Sequence, residues 1–377
     1  VIDFSFTPEQ EAFRETLRRF ALAELLPRYG RGDREGEYPR DQIRRTIALI
    51  GDEAGFGEDS LILAGIVAEE VARGDFNCVL PSLAPLVFHE FIREASDELK
   101  ARWLPGLRSG EQMIGLALTE PDAGSDMGAM RARAERRGDV YVLRGEKNSV
   151  SYLNADVFYV FARTDPSSSD WRGLSAFLVP RDSPGLGFRA YDDMGCRAIP
   201  RGQLFLEEVV VPAENRVGRE GMAFPMIRSY LDVNRAFIAL KCLGAAQQTL
   251  DETIEHVGRR RQFGRNLSAF QGVAFPIAEA ATLLEAARWL CYRVLWLRQR
   301  GLPCDREGAM AKWWVPEIAA EAIHECLLLH GHAGYTRDLP IEQRLRDVIG
   351  WQIGDGTPQI QKLILARRLL GAEAGSR

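Results

Sequence analysis

Three stretches of the chain combine residue types whose spacing could do chemistry. The run Gly350-Trp351-Gln352-Ile353-Gly354-Asp355-Gly356-Thr357-Pro358 sets one carboxylate between two glycines. Thr357 followed by Pro358 reads as a helix N-cap with proline at the first helical position. Ile341 to Gln352 has helical spacing. Asp355 is therefore predicted on a tight turn between two helices, either as a solvated turn aspartate or as a functional carboxylate. The second stretch, Leu116 to Asp126, reads LALTEPDAGSD. Thr119, Gly124 and Ser125 offer hydroxyls and approachable backbone N–H groups, which suit the edge of a flat polar ring and a phosphate; an ordinary turn is the other reading. The third, Arg260 to Gln271, places arginines beside Phe263 and Gly264. Such a segment can pair with a pyrophosphate and pack on a ring, or be a basic loop between helices. His330-Gly331-His332 invites a metal, but no further ligand cluster accompanies it, and none is predicted. There is no GxSxG, no Walker loop, and no GxGxxG between a strand and a helix.

The elements that must position these residues fall into three blocks. Thr7-Pro8-Glu9-Gln10 opens a helix with a capping box, and Phe13, Leu17, Phe20 and Ala21 share one face. Helical spacing recurs through Ile43–Leu49, Leu61–Ala72 and Phe91–Leu107. From Ile114 the pattern changes to short β-prone runs around Val140–Leu143, Val157–Phe161, Leu174–Val179 and Leu204–Val211, separated by Gly, Pro and Asp. From Phe224 long helices return, through Ile227–Val257, Phe275–Gly301 and Gly308–Leu329. Leu283, Leu284, Ala287, Leu290 and Cys291 form an apolar stripe of the kind that builds a bundle core. The expected division is 1–113 helical, 114–217 a β-sandwich or barrel, and 218–377 helical.

At 377 residues with 46% hydrophobic side chains, the chain can bury large cores. A formal net charge of −5 argues against a general nucleic-acid binder. Six cysteines without a CxxC pair do not make a disulfide framework and suit a reducing cytoplasm. No signal-peptide pattern opens the sequence, and no apolar run is long enough for a membrane span. The segment has no fixed-period repeat.

Taken together, these stretches resemble the acyl-CoA dehydrogenase family across nearly the whole chain. Thr119-Glu120-Pro121 with Gly124-Ser125-Asp126 matches its first signature. Arg260-x-Gln262-Phe263-Gly264 with Phe270-Gln271 matches its flavin-binding arginine motif. Pro340-Ile341-Glu342, Arg346-Asp347 and Gly356-Thr357 with Gln359-Ile360-Gln361 match its C-terminal signature. The resemblance implies an α+β fold: an N-terminal helical domain, a middle β domain and a C-terminal four-helix bundle. It implies FAD, contacted by Leu118, Thr119, Gly124, Ser125, Ser149, Ser151, Arg260, Phe263, Gln271, His332, Thr357 and Gln359. It also implies that some of these come from a neighbouring subunit of a homotetramer or dimer. Leu231-Asp232-Val233-Asn234-Arg235 matches a helix segment whose Asp232 and Arg235 would touch a CoA thioester, with Ser125, Gly354 and Gly356 also near substrate. Asp355 would take the α proton, the β hydrogen would pass to flavin as hydride, and an electron-transferring flavoprotein would accept the electrons.

The departures from the family pattern set further expectations. The family's base is usually Glu; Asp is shorter by one methylene, about 1.5 Å, and a misplacement near 1 Å can cost roughly a hundredfold. Ser149 and Gly354 stand where bulky aromatic residues are usual, which points to a branched or alicyclic acyl group of the cyclohexane-1-carboxyl-CoA kind, or to 1,4-elimination from a cyclic enoyl thioester. Leu328 replaces a glutamine that often contacts the cofactor. Asn234 stands where some relatives place the base, and an amide cannot serve as one. The segment Gly51–Gly55 is shorter than usual. The rival readings are a nitroalkane-oxidase-like flavin oxidase, a nucleic-acid-associated flavoprotein, for which the chain lacks a strongly basic added domain, and a dehydrogenase of carrier-protein-linked acyl groups.

Overall fold

The computed structural model describes residues 5–51, 61–83 and 94–371. The short segment after Gly51 and the start of the expected helix at Phe91 lie outside those residues. The N-terminal block holds α1 (Pro8–Phe20), α2 (Leu26–Glu35), α3 (Arg40–Ile50), α4 (Leu61–Gly74), the short α5 (Val79–Ser82) and α6 (Asp97–Ser109). α1 opens on the capping box: the Gln10 N–H donates to Thr7 Oγ1 at 3.3 Å and the Thr7 N–H to Gln10 Oε1 at 3.0 Å. A π-helical segment, Ala21–Leu25, joins α1 to α2.

Strands occupy residues 114 to 217. β1 (Ile114–Ala117), β2 (Arg133–Arg137), β3 (Val140–Ser151), β4 (Val157–Arg163), β5 (Leu174–Pro180), β6 (Leu186–Ala190), β7 (Arg201–Pro212) and β8 (Arg216–Val217) form one sheet in the order β6-β7-β3-β2-β4-β5-β8, with β1 parallel to β4. β3 and β7 pair antiparallel, with an irregularity between Lys147 and Val150. Within it Ser149 has φ +54°, a left-handed conformation uncommon outside glycine. This bulge turns Ser149 out of the ladder toward the site described below.

The C-terminal block is built on α7 (Ala223–Arg259), a continuous helix of 37 residues, about 55 Å long. α8 (Gln271–Gln299), α9 (Asp305–Leu329), α10 (Ile341–Ile353) and α11 (Pro358–Leu370) complete it, with α9 packed against the other four. Of the apolar stripe on α8, Leu284, Ala287 and Cys291 are buried, but Leu283 is 41% exposed and lies outside the core. α4 packs against α7 and α8, so one core joins Leu17 and Val67 of the first block to Phe237, Leu240 and Leu295 of the third. The close approach depends on Gly244: a Cβ there would sit 2.1 Å from the Glu69 carbonyl oxygen.

Asp347 of the C-terminal signature ties the three blocks together. Its carboxylate accepts from Tyr29 Oη at 2.7 Å, Asn77 Nδ2 at 3.2 Å and the Cys196 N–H at 2.5 Å. Arg346 beside it forms paired hydrogen bonds with Asp33. Burial pushes Asp347 up to about 6, and Asp75, with the Asp347 charge nearby, up to about 7. An unfolded aspartate titrates near 3.9. The unfolded chain therefore binds fewer protons between roughly pH 4 and 7, and the Asp75 contribution to stability falls as pH rises through that window. Asp75→Asn keeps the oxygen that accepts the Asn77 N–H and removes the charge. It is expected to match the parent near pH 4 and to exceed its stability at pH 8 by on the order of 4 kcal/mol. Urea unfolding at both pH values checks this; a pH-independent difference overturns it.

Candidate active site

A cleft of about 770 Å³ runs between the sheet and the C-terminal helices. Its sheet side carries Leu118, Thr119, Gly124, Ser125 and Ser149; its helical side carries Asp232, Arg235, Asp355, Gly356 and Thr357. A compact chamber of about 150 Å³ adjoins it, lined on one side by Ile43, Ile47, Leu107 and Met113 and on the other by Ser151, Tyr152, Tyr230 and Trp351. Leu118, Thr119, Ser149 and Asp355 line both spaces. Asp355 thus sits where the cleft meets the chamber.

The sheet side is fixed by a buried ion pair. Lys147, fully buried, donates to Glu120 Oε1 at 2.8 Å and to the Leu118 carbonyl at 3.1 Å. Glu120 also accepts the backbone N–H groups of Arg131 at 2.6 Å and Ala132 at 3.0 Å. Burial brings Lys147 down to about 8, against the pull of Glu120. The Asn148 N–H donates to the Thr119 carbonyl at 2.7 Å. Gly124 lies nearby with its Cβ direction almost open, so a ligand can approach its backbone closely.

The turn that carries Asp355 is held from several directions. Thr357 caps α11 by accepting the Ile360 N–H at 3.4 Å. Asp355 itself has φ +55°, a conformation aspartate tolerates better than most residues. Gly356 has φ +101°, and a Cβ there would lie 2.4 Å from Gln361 Nε2, so glycine is required. Lys312 of α9 donates to the carbonyls of Trp351 at 2.8 Å and Gly356 at 3.2 Å. Lys241 of α7 lies 3.6 Å from the centroid of the Trp351 ring and 4.1 Å from that of Phe76. Asn234 Nδ2 donates to Asp355 Oδ2 at 2.9 Å. Asp355 is exposed, and it lines both the cleft and the chamber. Enclosure by protein raises its pKa, opposed by Lys312, Lys241, the Asn234 hydrogen bond and Arg235. A carboxylate shifted upward by desolvation is a stronger proton acceptor than one in water.

Arg235 donates to Asp232 at 2.7 Å across one turn of α7, and both line the cleft. Burial lowers the pKa of Arg235 and raises that of Asp232. Among the described residues Arg235 Nε is buried without a hydrogen-bond partner, and a group bound in the cleft could satisfy it.

Other expected site residues stand apart. Ser151 lines the chamber rather than the cleft. Gly354 lines neither; a Cβ there would face the Trp351 ring at 3.5 Å. Arg260 lines a separate cavity with His256 and His330. Phe263 is 92% exposed, and Gln271, His332 and Gln359 are also exposed, none of them lining the Asp355 cleft. The sequence reading missed the hydrogen bond from Asn234 and the two lysines. The available signal was spacing: Asn234 and Lys241 lie two turns apart on one face of α7. Among the described residues no group of three His, Cys, Asp or Glu side chains could hold a metal, and no helix is long and apolar enough to cross a membrane.

A two-chambered cleft, with a carboxylate of raised pKa at its waist and a sheet-side loop of hydroxyls and backbone N–H groups, has the makings of an active site. The chain belongs to the acyl-CoA dehydrogenase family: the models of its N-terminal, middle and C-terminal domains match residues 7–111, 115–209 and 220–370. The short-chain-specific acyl-CoA dehydrogenase of Clostridium acetobutylicum is 33% identical over 98% of this chain and 100% of its own. The butyryl-CoA dehydrogenase structure from Megasphaera elsdenii superposes with a TM-score of 0.91 at 29% identity, covering 98% of this chain and 100% of that one. The prolyl acyl carrier protein oxidase AnaB does so with 0.90 at 27%, covering 97% and 100%. These relatives make the chain an oxidoreductase of the three-domain fold.

Proposed function

We propose that the protein is an FAD-dependent dehydrogenase of a compact acyl-CoA thioester, with Asp355 as its base. The observation that carries the reading is the position of Asp355, which lines both cleft and chamber where they meet and whose pKa the surrounding protein raises. Leu118, Thr119, Gly124, Ser125, Ser149 and Thr357 would hold the flavin, whose chemistry is to accept the β hydrogen as hydride. Asp232 and Arg235 would hold the CoA portion at the cleft wall. The chamber receives the acyl group, and Asp355 takes the α proton as the chamber walls exclude water. The exposure of Arg260, Phe263, Gln271, His332 and Gln359 supports a second copy completing the cofactor site, in a dimer or tetramer. The proposed electron acceptor is an electron-transferring flavoprotein.

Size supports the substrate class. An apolar cavity of about 150 Å³ takes a benzene-sized ring, and the chamber has about that volume. A branched chain or a single six-membered alicyclic ring matches that volume better than a long straight chain. Anaerobic flavin reduction should therefore be fastest with cyclohexane-1-carboxyl-CoA or a branched short acyl-CoA in a panel that includes butyryl- and octanoyl-CoA. Preference for octanoyl-CoA would overturn the substrate class. The likeness to a carrier-protein oxidase supports a second reading, in which the same acyl group arrives on a carrier protein. Faster reduction by the carrier thioester than by the CoA thioester would select it.

A further inference from the structure

We infer that Asn234 is a positioning residue for the base: its amide ties Oδ2 of Asp355, leaving Oδ1 as the oxygen that takes the α proton. The inference rests on the reading of Asp355 as the base. It begins from how little else holds the carboxylate. Lys312 and Gln361 fasten the turn through the Gly356 carbonyl, and Lys312 reaches Trp351 as well. These contacts fix the backbone and leave the carboxylate free to rotate about its Cβ–Cγ bond. Among the described residues, the hydrogen bond recorded to the carboxylate comes from Asn234.

Asn234 suits that task. It is buried on α7 between Asp232 and Arg235, which line the cleft. Among the described residues its own Oδ1 is buried without a hydrogen-bond partner, so the side chain is oriented for its donor and not for a satisfied amide pair. An asparagine cannot compete with Asp355 for the proton. The bond also survives the reaction. The α C–H bond breaks, its proton forms an O–H bond at Oδ1, and its electron pair stays on the thioester as the enolate. Oδ2 remains a carbonyl-type acceptor for Asn234 throughout. The base is thereby aligned before and after transfer without rearrangement, which compensates for its short reach.

The carboxylate is surrounded by Lys312 from α9, by Lys241, Arg235 and Tyr230 from α7, and by Tyr152 after β3. Asn234 acts with the cations in favouring the charged carboxylate, so its removal has a signed effect. The test uses Asn234→Ala and the near-isosteric Asn234→Asp, each as folded, FAD-containing protein. One readout is the limiting rate of anaerobic flavin reduction against pH with the best thioester of the panel. The other is an infrared titration of the Asp355 carboxyl, obtained by difference from Asp355→Asn and independent of turnover. Asn234→Ala should slow reduction by about a hundredfold, leave the thioester Kd within about threefold, and move the carboxyl titration to higher pH. Asn234→Asp should move it further, because a second carboxylate faces the first. Unchanged rate and titration would overturn the inference. So would a slower rate with an unmoved titration, which marks a structural role alone. If Asp355→Asn itself reduces its flavin normally, the base assignment falls and this inference with it. If Asp355→Asn is inactive while Asn234→Ala behaves as the parent, the inference alone falls.

Discussion

Asp355→Asn is expected to retain FAD and to lose flavin reduction by thioester by about 10²–10⁴-fold, the usual worth of a positioned general base. The substitution changes one heavy atom, so the turn, the Thr357 cap and the Lys312 contacts persist, while the only carboxylate among the described residues that line both cleft and chamber is gone. Asp355→Glu is the companion variant. It restores the family's usual base but advances the carboxylate by about 1.5 Å past Asn234 and into the chamber. Reduction slower than the parent by roughly a hundredfold is expected with an alicyclic thioester. Stopped-flow absorbance of the flavin reads both. Parent-like reduction by Asp355→Asn would remove Asp355 from the chemistry, and faster reduction by Asp355→Glu would show that the site is not built for the shorter base.

The second large effect lies in the floor of the cleft. Glu120→Ala leaves the ammonium of Lys147 buried without its counter-charge, and strands the N–H groups of Arg131 and Ala132 that Glu120 accepts. Breaking a buried pair from one side costs about 3–5 kcal/mol, and urea unfolding should show a loss of that size. FAD retention should fall as well, since Lys147 also holds the Leu118 carbonyl beside Thr119. Adding Lys147→Met to the same variant should recover much of the stability, because the uncompensated charge is then removed. A Glu120→Ala protein of parental stability would show that the pair contributes nothing to the fold.

These two residues also show how unevenly the sequence discloses the site. The turn around Asp355 was legible because glycine, threonine and proline have strong local preferences, and the Thr357 cap and the Thr7 capping box both form as read. Glu120 was legible only as part of a motif; its partner Lys147 lies across the sheet, in a strand where nothing local marks a buried lysine. β2 escaped the reading because Arg133–Arg137 has one buried side chain, Ala134, and otherwise faces water, so it carries no apolar alternation. Arg346 and Asp347 were read as part of the C-terminal signature; the structure uses them to join Asp33, Tyr29, Asn77 and Cys196. Asn234 was seen and set aside as a base. A hydrogen bond across 121 residues is a tertiary fact that no periodicity announces. Leu283 followed the stripe of α8 and is nonetheless exposed, because helical spacing gives a face and not its partner.

The unbroken length of α7 has a mechanical consequence. Asn234, Lys241, Gly244 and the arginine turn at its C-terminal end ride on one rod, and a helix transmits displacement along its axis with little loss. At Gly244 that rod passes close against the N-terminal block, ten residues from Asn234, or about 15 Å. The contact acts as a fulcrum. Bulk inserted there, as in Gly244→Val, would clash with the Glu69 carbonyl and is expected to shift the rod against α4, and with it the amide of Asn234 and the exposed arginine segment. The Asn234–Asp355 hydrogen bond and the exposed arginine segment are thus both mechanically tied to a contact far from the cleft.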